Sequence, residues 1–245
     1  MKPRQVRSWY LPKGISGEFI WRMEDVLGLY AEPYDPARPA VCFDEASKEL
    51  HAEVRPPQPA APGRPARRDY EYARRGTANL FVAVEPLAGV RRVTGRRTAA
   101  DFAEQMRRLC DEWYPEAATI RVVLDNLNTH GPGSLFGAFA PEEAWRLARR
   151  LEFRDTPKHA SWLNMAELEL SVLSRQCLSR RIADAETLTP EVAAWEGRRN
   201  GMRAKIEWTY RPADARVKLS HLYPVQQNAT SVSARAVPGR SWRSA

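Results

Sequence analysis

The 245-residue chain has little cysteine and little histidine, three of one and four of the other. Cys42, Cys110 and Cys177 stand far apart, form no CxxC pair and keep no zinc-type spacing with the histidines. A disulfide framework and a structural zinc site are therefore excluded, and the thiols read as small buried residues. The sequence also lacks any apolar run of membrane-spanning length, and the opening "MKPRQVRSWYLPKG" holds no hydrophobic segment of signal-peptide type. These absences point away from a membrane and make a cytoplasmic location the expectation. Internal repeats are absent too.

What the chain does have is positive charge. Its formal net charge is +8 with a pI near 9.7, and the excess is mainly arginine, which suits bidentate contacts to phosphate. A polyanionic partner follows, most simply nucleic acid. Hydrophobic residues at 43% and charged residues at 28% give the balance of a globular protein with a real core.

Read along its length, "SGEFIWRMEDVLGLYAEP" predicts one short amphipathic helix, with Phe19, Met23, Val26, Leu27 and Tyr30 on its apolar side. "AVCFDEASKEL" predicts a strand, and "EVRPPQPAAPGRPARRDYEYARRG" an extended connection rich in proline and arginine. "TANLFVAVEP" and "VRRVTGRR" predict a second and third strand around the turn "LAG". "TAADFAEQMRRLCDEWY" is a predicted helix capped by Thr98. A strand over 119–126 follows, then a helix in "APEEAWRLARRL" and a short strand in "EFRDTP". "SWLNMAELELSVLSRQCLSRR" is expected as one continuous helix, with two more in "TPEVAAWEGRRNGMR" and "PADARVKLSHLY". Such an order predicts an α/β domain, one mixed sheet with helices packed on its faces.

Two carboxylates fall at strand ends. Alternation puts Asp44 on one face of its strand with Cys42 and Ala46, and Glu45 on the other with Phe43. Asp125 ends the strand "IRVVLDNLNTH". If the two strands are parallel neighbours, both acids emerge together, and carboxylates in a basic protein meet phosphates through a divalent cation such as Mg²⁺. The plainer reading of each is a turn or cap residue. In "NMAELELS", helical spacing sets Asn164, Glu167, Ser171 and Ser174 on one polar stripe. Leu163, Leu170 and Leu173 flank it on one side, and Met165, Leu168 and Val172 on the other. Glu167 is then either a carboxylate facing a cleft or a buried acid bonded to a polar neighbour. Glu169 is expected elsewhere, near Gln176, as a solvated helix residue.

Several phrases, "CFDEASKEL", "GRPARRDYEYARRGTANLFVAVEPLAG", "RRTAADFAEQ", "VLDNLNTHGPGSLFGAFAPEEAWRLARRLEF", "TPKHASWLNMAELELSVLSRQCLSRRI" and "DARVKLSHLYP", resemble the catalytic domain of bacterial insertion-sequence transposases of the branch related to the Tc/mariner elements. The resemblance implies a ribonuclease-H-like, retroviral-integrase-type fold and an Asp-Asp-Glu triad falling on Asp44, Asp125 and Glu167. It implies two Mg²⁺ or Mn²⁺ ions on those carboxylates, one activating water or a DNA 3′-hydroxyl and the other stabilising the leaving oxygen. DNA, as element ends and target, is the implied substrate, with a homodimer on DNA and a bacterial, nucleoid-associated location.

Beside the triad, Asn126 could orient Asp125 or a metal-bound water and His130 could contact a phosphate, or both complete strand-end and loop hydrogen bonds, as is expected of Asn128 and Thr129. Lys158, His159 and Trp162 precede the Glu167 helix, where DNA contact is one reading and packing, for Trp162, the other. Arg64, Arg67, Arg68, Arg74 and Arg75 form a basic flap or a solvated loop. The resemblance divides the chain into a linker-like segment 1–38, a catalytic domain 39–224 and a disordered tail 225–245. The helix-turn-helix region of full-length relatives is not expected here, and the spacer between Asp125 and Glu167 is longer than in most Tc/mariner relatives. A helical insert in "SLFGAFAPEEAWRLARRL" accommodates it. Two other readings stand beside an active transposase. One is a truncated or split, inactive DNA-binding or dimerisation remnant, paired with a helix-turn-helix partner chain. The other is a ribonuclease H-type hydrolase of RNA–DNA hybrids.

Overall fold

The computed structural model describes residues 16–95, 98–125 and 130–223. Asn126, Asn128, Thr129, the start of the linker-like segment and the tail lie outside these residues. The central element is β1 (Ala40–Glu53), which pairs antiparallel with β2 (Tyr72–Glu85) on one side and parallel with β4 (Ile120–Leu124) on the other. Strand β3 (Val90–Gly95) extends the antiparallel half, and β5 (Leu151–Asp155) the parallel half. The order is β3-β2-β1-β4-β5, the expected mixed sheet.

Side-chain alternation sends each strand's residues to two different cores. Val41, Phe43, Phe81, Ala83, Ile120, Val122 and Leu124 face one core, covered by α2 (Ala99–Arg108), α3 (Pro132–Ala138) and α4 (Pro141–Ala148). Cys42, Val84 and Val123 face the other, against α1 (Gly17–Ala31) and the start of α5 (Met165–Leu173). Leu80 and Val82 continue that face beneath α5 and α6 (Ala185–Gly201). Every residue of β4 is buried, as an inner parallel strand requires. Its one charged residue, Arg121, pairs with Glu32 and the carbonyl of Arg38. The five residues predicted for the apolar side of α1 are all buried, and Thr98 caps α2 by accepting from the Asp101 N–H.

Three departures have local causes. The helix expected over 161–181 is interrupted, because Asn164 is extended (φ −84°, ψ 110°) and acts as the N-cap of α5. One turn of 3₁₀ helix, Ser161–Leu163, precedes it, and one turn of π-helix, Ser174–Leu178, follows α5. Helix α6 begins four residues before "TPEV", where Asp184 accepts from the Thr187 N–H and fixes the start, with Pro190 inside the helix. Strands β1 and β2 run past their predicted ends, since the chain between them continues as the two arms of a long hairpin. Helix α7 (Pro212–Lys218) packs on α1. No helix among the described residues is long and apolar enough to cross a membrane.

Candidate functional site

Parallel pairing of β1 with β4 aligns Val41 with Val122 and Cys42 with Val123. Counting two residues further along both strands brings Asp44 level with Asp125, at the end where β4 stops. A rigid sheet thus sets the spacing of the two acids by backbone register. Asp44 lies on the Cys42 side, toward α5, and Glu45 on the Phe43 side, as alternation predicts.

The third predicted carboxylate arrives through Asn164. This buried side chain donates from Nδ2 to the Phe43 carbonyl at 2.9 Å and to Asp44 Oδ2 at 3.3 Å, while its Oδ1 accepts from the Ala166 N–H at 3.1 Å. One amide therefore starts α5 and ties that start to β1 beside Asp44. Glu167 sits in the first turn of α5 and is exposed. It is close enough to act on Asp44. Burial raises the Asp44 pKa to about 7, and the charges of Glu167, Asp125 and Glu45 push in the same direction against the hydrogen bond from the Glu45 N–H. Glu167 and Asp125 thus both bear on Asp44 as like charges, after burial the next cause of its raised pKa.

His130 is almost wholly buried and occupies the opposite flank. Its Nδ1 lies 3.1 Å from Asp125 Oδ1 and its Nε2 4.0 Å from Glu45 Oε2, while its ring stacks on Phe102 with centroids 4.7 Å apart. Its burial argues against the phosphate contact suggested by the sequence and sets it instead to orient Asp125. Asn164 and Glu45 are the neighbours that sequence reasoning did not select. The signal for Asn164 was its position before a helix start, where asparagine is a preferred cap. For Glu45 there was none beyond adjacency to Asp44, because its role comes from His130.

Other predicted residues are placed elsewhere. Lys158 and His159 are exposed in the turn between β5 and α5, with His159 in the left-handed region at φ 64°. Arg67 and Arg68 lie in the loop between β1 and β2, where Arg67 pairs through its backbone with Gln58 and Arg68 lies 3.1 Å from Glu53. Strand β1 ends nine residues beyond Asp44, before that loop begins, a separation of about 30 Å. The structure does not bring these arginines to the carboxylates.

Glu169 corrects the sequence reading. It is fully buried rather than solvated. Arg199 of α6 binds it through two hydrogen bonds, of 2.8 and 2.9 Å, and Arg91 of β3 lies 3.0 Å away, itself with no exposure. Arg91 also donates to the carbonyls of Gly89 and Ala204, and Asn200 bridges the Arg91 backbone N–H and carbonyl. The buried face of α5 runs through Met165, Ala166, Glu169, Leu170 and Leu173. Leu168, expected on an apolar flank, is 47% exposed. Gly89 allows this closure: a Cβ there would stand 2.5 Å from the Arg203 backbone.

As donors, Asp44, Asp125 and Glu167 offer only carboxylate oxygens, the ligand type preferred by Mg²⁺ and Mn²⁺. Crowded like charge around Asp44 gives a cation something to neutralise, so the residues fit such an ion in kind. Among the described residues, no three His, Cys, Asp or Glu side chains are gathered closely enough to enclose one.

Comparison with solved structures gives the fold independently. The Mos1 mariner paired end complex with Mn matches at 16% identity and a TM-score of 0.53, over 83% of this chain and 62% of that one. A pre-cleavage Mos1 transpososome matches at 14% and 0.54, over 91% and 68%. The Mos1 strand transfer complex matches at 15% and 0.52, over 83% and 62%. These likenesses establish the ribonuclease-H-like mixed sheet flanked by helices, and the chain spans 62% of the first Mos1 chain. Comparison with curated proteins gave no match. Residues 39–189, more than half of the chain, match the family described as DDE superfamily endonuclease. That stretch contains all five strands, Asn164 and the three predicted acids, and on this match the chain belongs to the DDE superfamily endonucleases.

Proposed function

We propose that the chain is the catalytic part of a DNA transposase, of the Tc/mariner-related branch of bacterial insertion sequences, that cleaves DNA strands and joins them to a target. The observation that carries this reading is the family match over residues 39–189, supported by the parallel register that sets Asp44 level with Asp125 and by the Asn164-anchored helix that carries Glu167. In this reading 1–38 is a linker, 39–224 the catalytic domain and 225–245 a tail. The substrate is DNA, bound as element ends and target by a homodimer, in the bacterial cytoplasm at the nucleoid. Net charge of +8 supports such a partner.

Asp44, Asp125 and Glu167 would hold Mg²⁺ or Mn²⁺, two ions in all, which supply Lewis-acid activation of water or a 3′-hydroxyl and stabilise the leaving oxygen. The chain's own work is positional. The sheet fixes two of the carboxylates, Asn164 fixes the helix that presents the third, and buried His130 holds Asp125 in orientation. No side chain here acts as a covalent nucleophile, so cleavage and joining share one set of carboxylates.

The test is nicking and end-joining of DNA carrying the element ends, with Mn²⁺ present. Wild type is expected to be active, and Asp125→Asn to lose at least 100-fold while keeping its circular dichroism spectrum. Activity surviving substitution of all three acids would remove the assignment. Activity appearing only when a helix-turn-helix partner chain is added would favour a split transposase. Cleavage confined to RNA–DNA hybrids would favour a ribonuclease H-type hydrolase.

A further inference from the structure

The core of this protein buries its aromatic rings well: Phe43, Phe81 and Phe102 are each 2% exposed or less. Trp162 differs. It is 41% exposed, in the short turn that ends at Asn164, the residue bonded to Asp44. Its ring lies within 20° of parallel to that of Trp208, with centroids 6.5 Å apart, and Tyr210 meets it nearly edge-on at 6.1 Å. Behind this pair, Trp208 packs on Tyr30, whose hydroxyl donates to the Leu163 carbonyl at 2.8 Å. The rings are thereby rooted in the core beneath α1 while one side of the cluster remains in water.

The surroundings are cationic. Lys218 Nζ lies 5.4 Å from the centre of the Tyr210 ring, and Lys158, Lys205 and Arg211 are exposed on the segments that carry the rings. Glu207 and Asp214 are the acids of the same stretch, and Asp214 accepts from the Arg211 backbone N–H. Exposed aromatic faces interleaved with cations favour a ligand that is flat and anionic at once, which describes a nucleotide better than an apolar peptide. Every base has a π-face, so such a surface binds single strands with little regard to sequence. Trp208 and Tyr210 lie outside the family-matched stretch 39–189, so this surface is not part of what that match covers.

We propose that Trp162, Trp208 and Tyr210 form a stacking platform for an unpaired base at a DNA end beside the acidic cluster, with Lys158 and Lys218 on its phosphates. The proposal rests on the reading of the chain as a DNA enzyme, and its test measures binding alone. Fluorescence anisotropy of the full chain in EDTA would compare a blunt duplex with the same duplex carrying a short single-stranded 3′ tail.

Wild type is expected to prefer the tailed duplex and to lose tryptophan fluorescence on binding it. Trp162→Ala should weaken the tailed complex by about tenfold and leave the blunt complex within about twofold, while Trp162→Phe restores most of the loss. Trp162 is exposed, so the variants should fold, which circular dichroism would check, and Tyr210→Ala gives a second, smaller loss in the same direction. Normal duplex binding with no tail preference, or equal weakening of both complexes by Trp162→Ala, would overturn the platform alone. Fluorescence quenching that tracks self-association without DNA would show that a second copy covers the rings, also overturning it. Absence of any DNA binding would overturn both this inference and the reading beneath it.

Discussion

Glu167 and Glu169 stand two residues apart on α5 and meet opposite surroundings. Glu169 is buried against Arg91 and Arg199, with its carboxylate oxygens engaged by guanidinium groups. Glu167 is exposed, and its charge acts on Asp44, an acid of the central strand whose pKa is driven upward by burial and by the carboxylates of Glu167, Asp125 and Glu45. In one region charge is matched inside the protein, so the carboxylate ties β3, α5 and α6 together. In the other charge is left unmatched, and neutralisation has to come from outside. The difference separates a carboxylate that stabilises the fold from carboxylates that cost stability, as a binding site for a cation requires.

The largest effect expected on this contrast is at Glu169. Glu169→Ala leaves two guanidinium groups facing a void and should cost about 3–5 kcal/mol, read from urea denaturation. Glu167→Ala removes an exposed carboxylate and should change stability by less than about 0.5 kcal/mol. Equal losses would erase the distinction.

An intermediate effect is expected at Asp44. In chelator at pH 8, Asp44→Asn removes a crowded buried charge and should raise stability by about 1 kcal/mol. Addition of Mn²⁺ should raise the melting temperature of wild type and leave that of the variant unmoved. A variant less stable than wild type in chelator would mean that the acidic edge is not strained by like charge.

The smallest effect concerns Glu85, a carboxylate that is buried like Glu169 but without a cation. Its Oε2 accepts from the Tyr114 hydroxyl at 3.0 Å, and burial raises its pKa. A folded pKa above the unfolded one means that the native state binds the proton more tightly. This contribution is fully present below the unfolded pKa, near 4.3, and is lost as pH rises through the folded value. Glu85→Gln should flatten that decline above about pH 4.3 in melts from pH 4 to 7. An unchanged slope would show that Tyr114 fully compensates the burial.

Much of this contrast was legible in the sequence, unevenly. Asp44 and Asp125 were readable because strand alternation and a run of branched residues ending in an acid are local patterns. Glu167 came from helical spacing and from the resemblance of "LNMAE" to a family motif. Glu169 was misread for a physical reason: a helical wheel ranks residues by polarity, and a glutamate looks solvated until two arginines, 78 and 30 positions distant, are brought to it. His130 and Glu45 posed the same problem, since burial between Asp125, Phe102 and Glu45 is a property of packing. Trp162 was open between packing and contact, and its exposure was decided by where Trp208 and Tyr210 return to the site.

By itself the sequence determined most element types, the α/β class, the placement of Asp44 on a strand and of Asp125 at a strand end, and the basic character, because each depends on periodicity, capping or composition within a few residues. Tertiary structure decided which carboxylates face one another and which face arginine. That choice turns on strand register and on contacts between segments far apart in the chain, and a Coulomb interaction depends on distance in space rather than along the backbone.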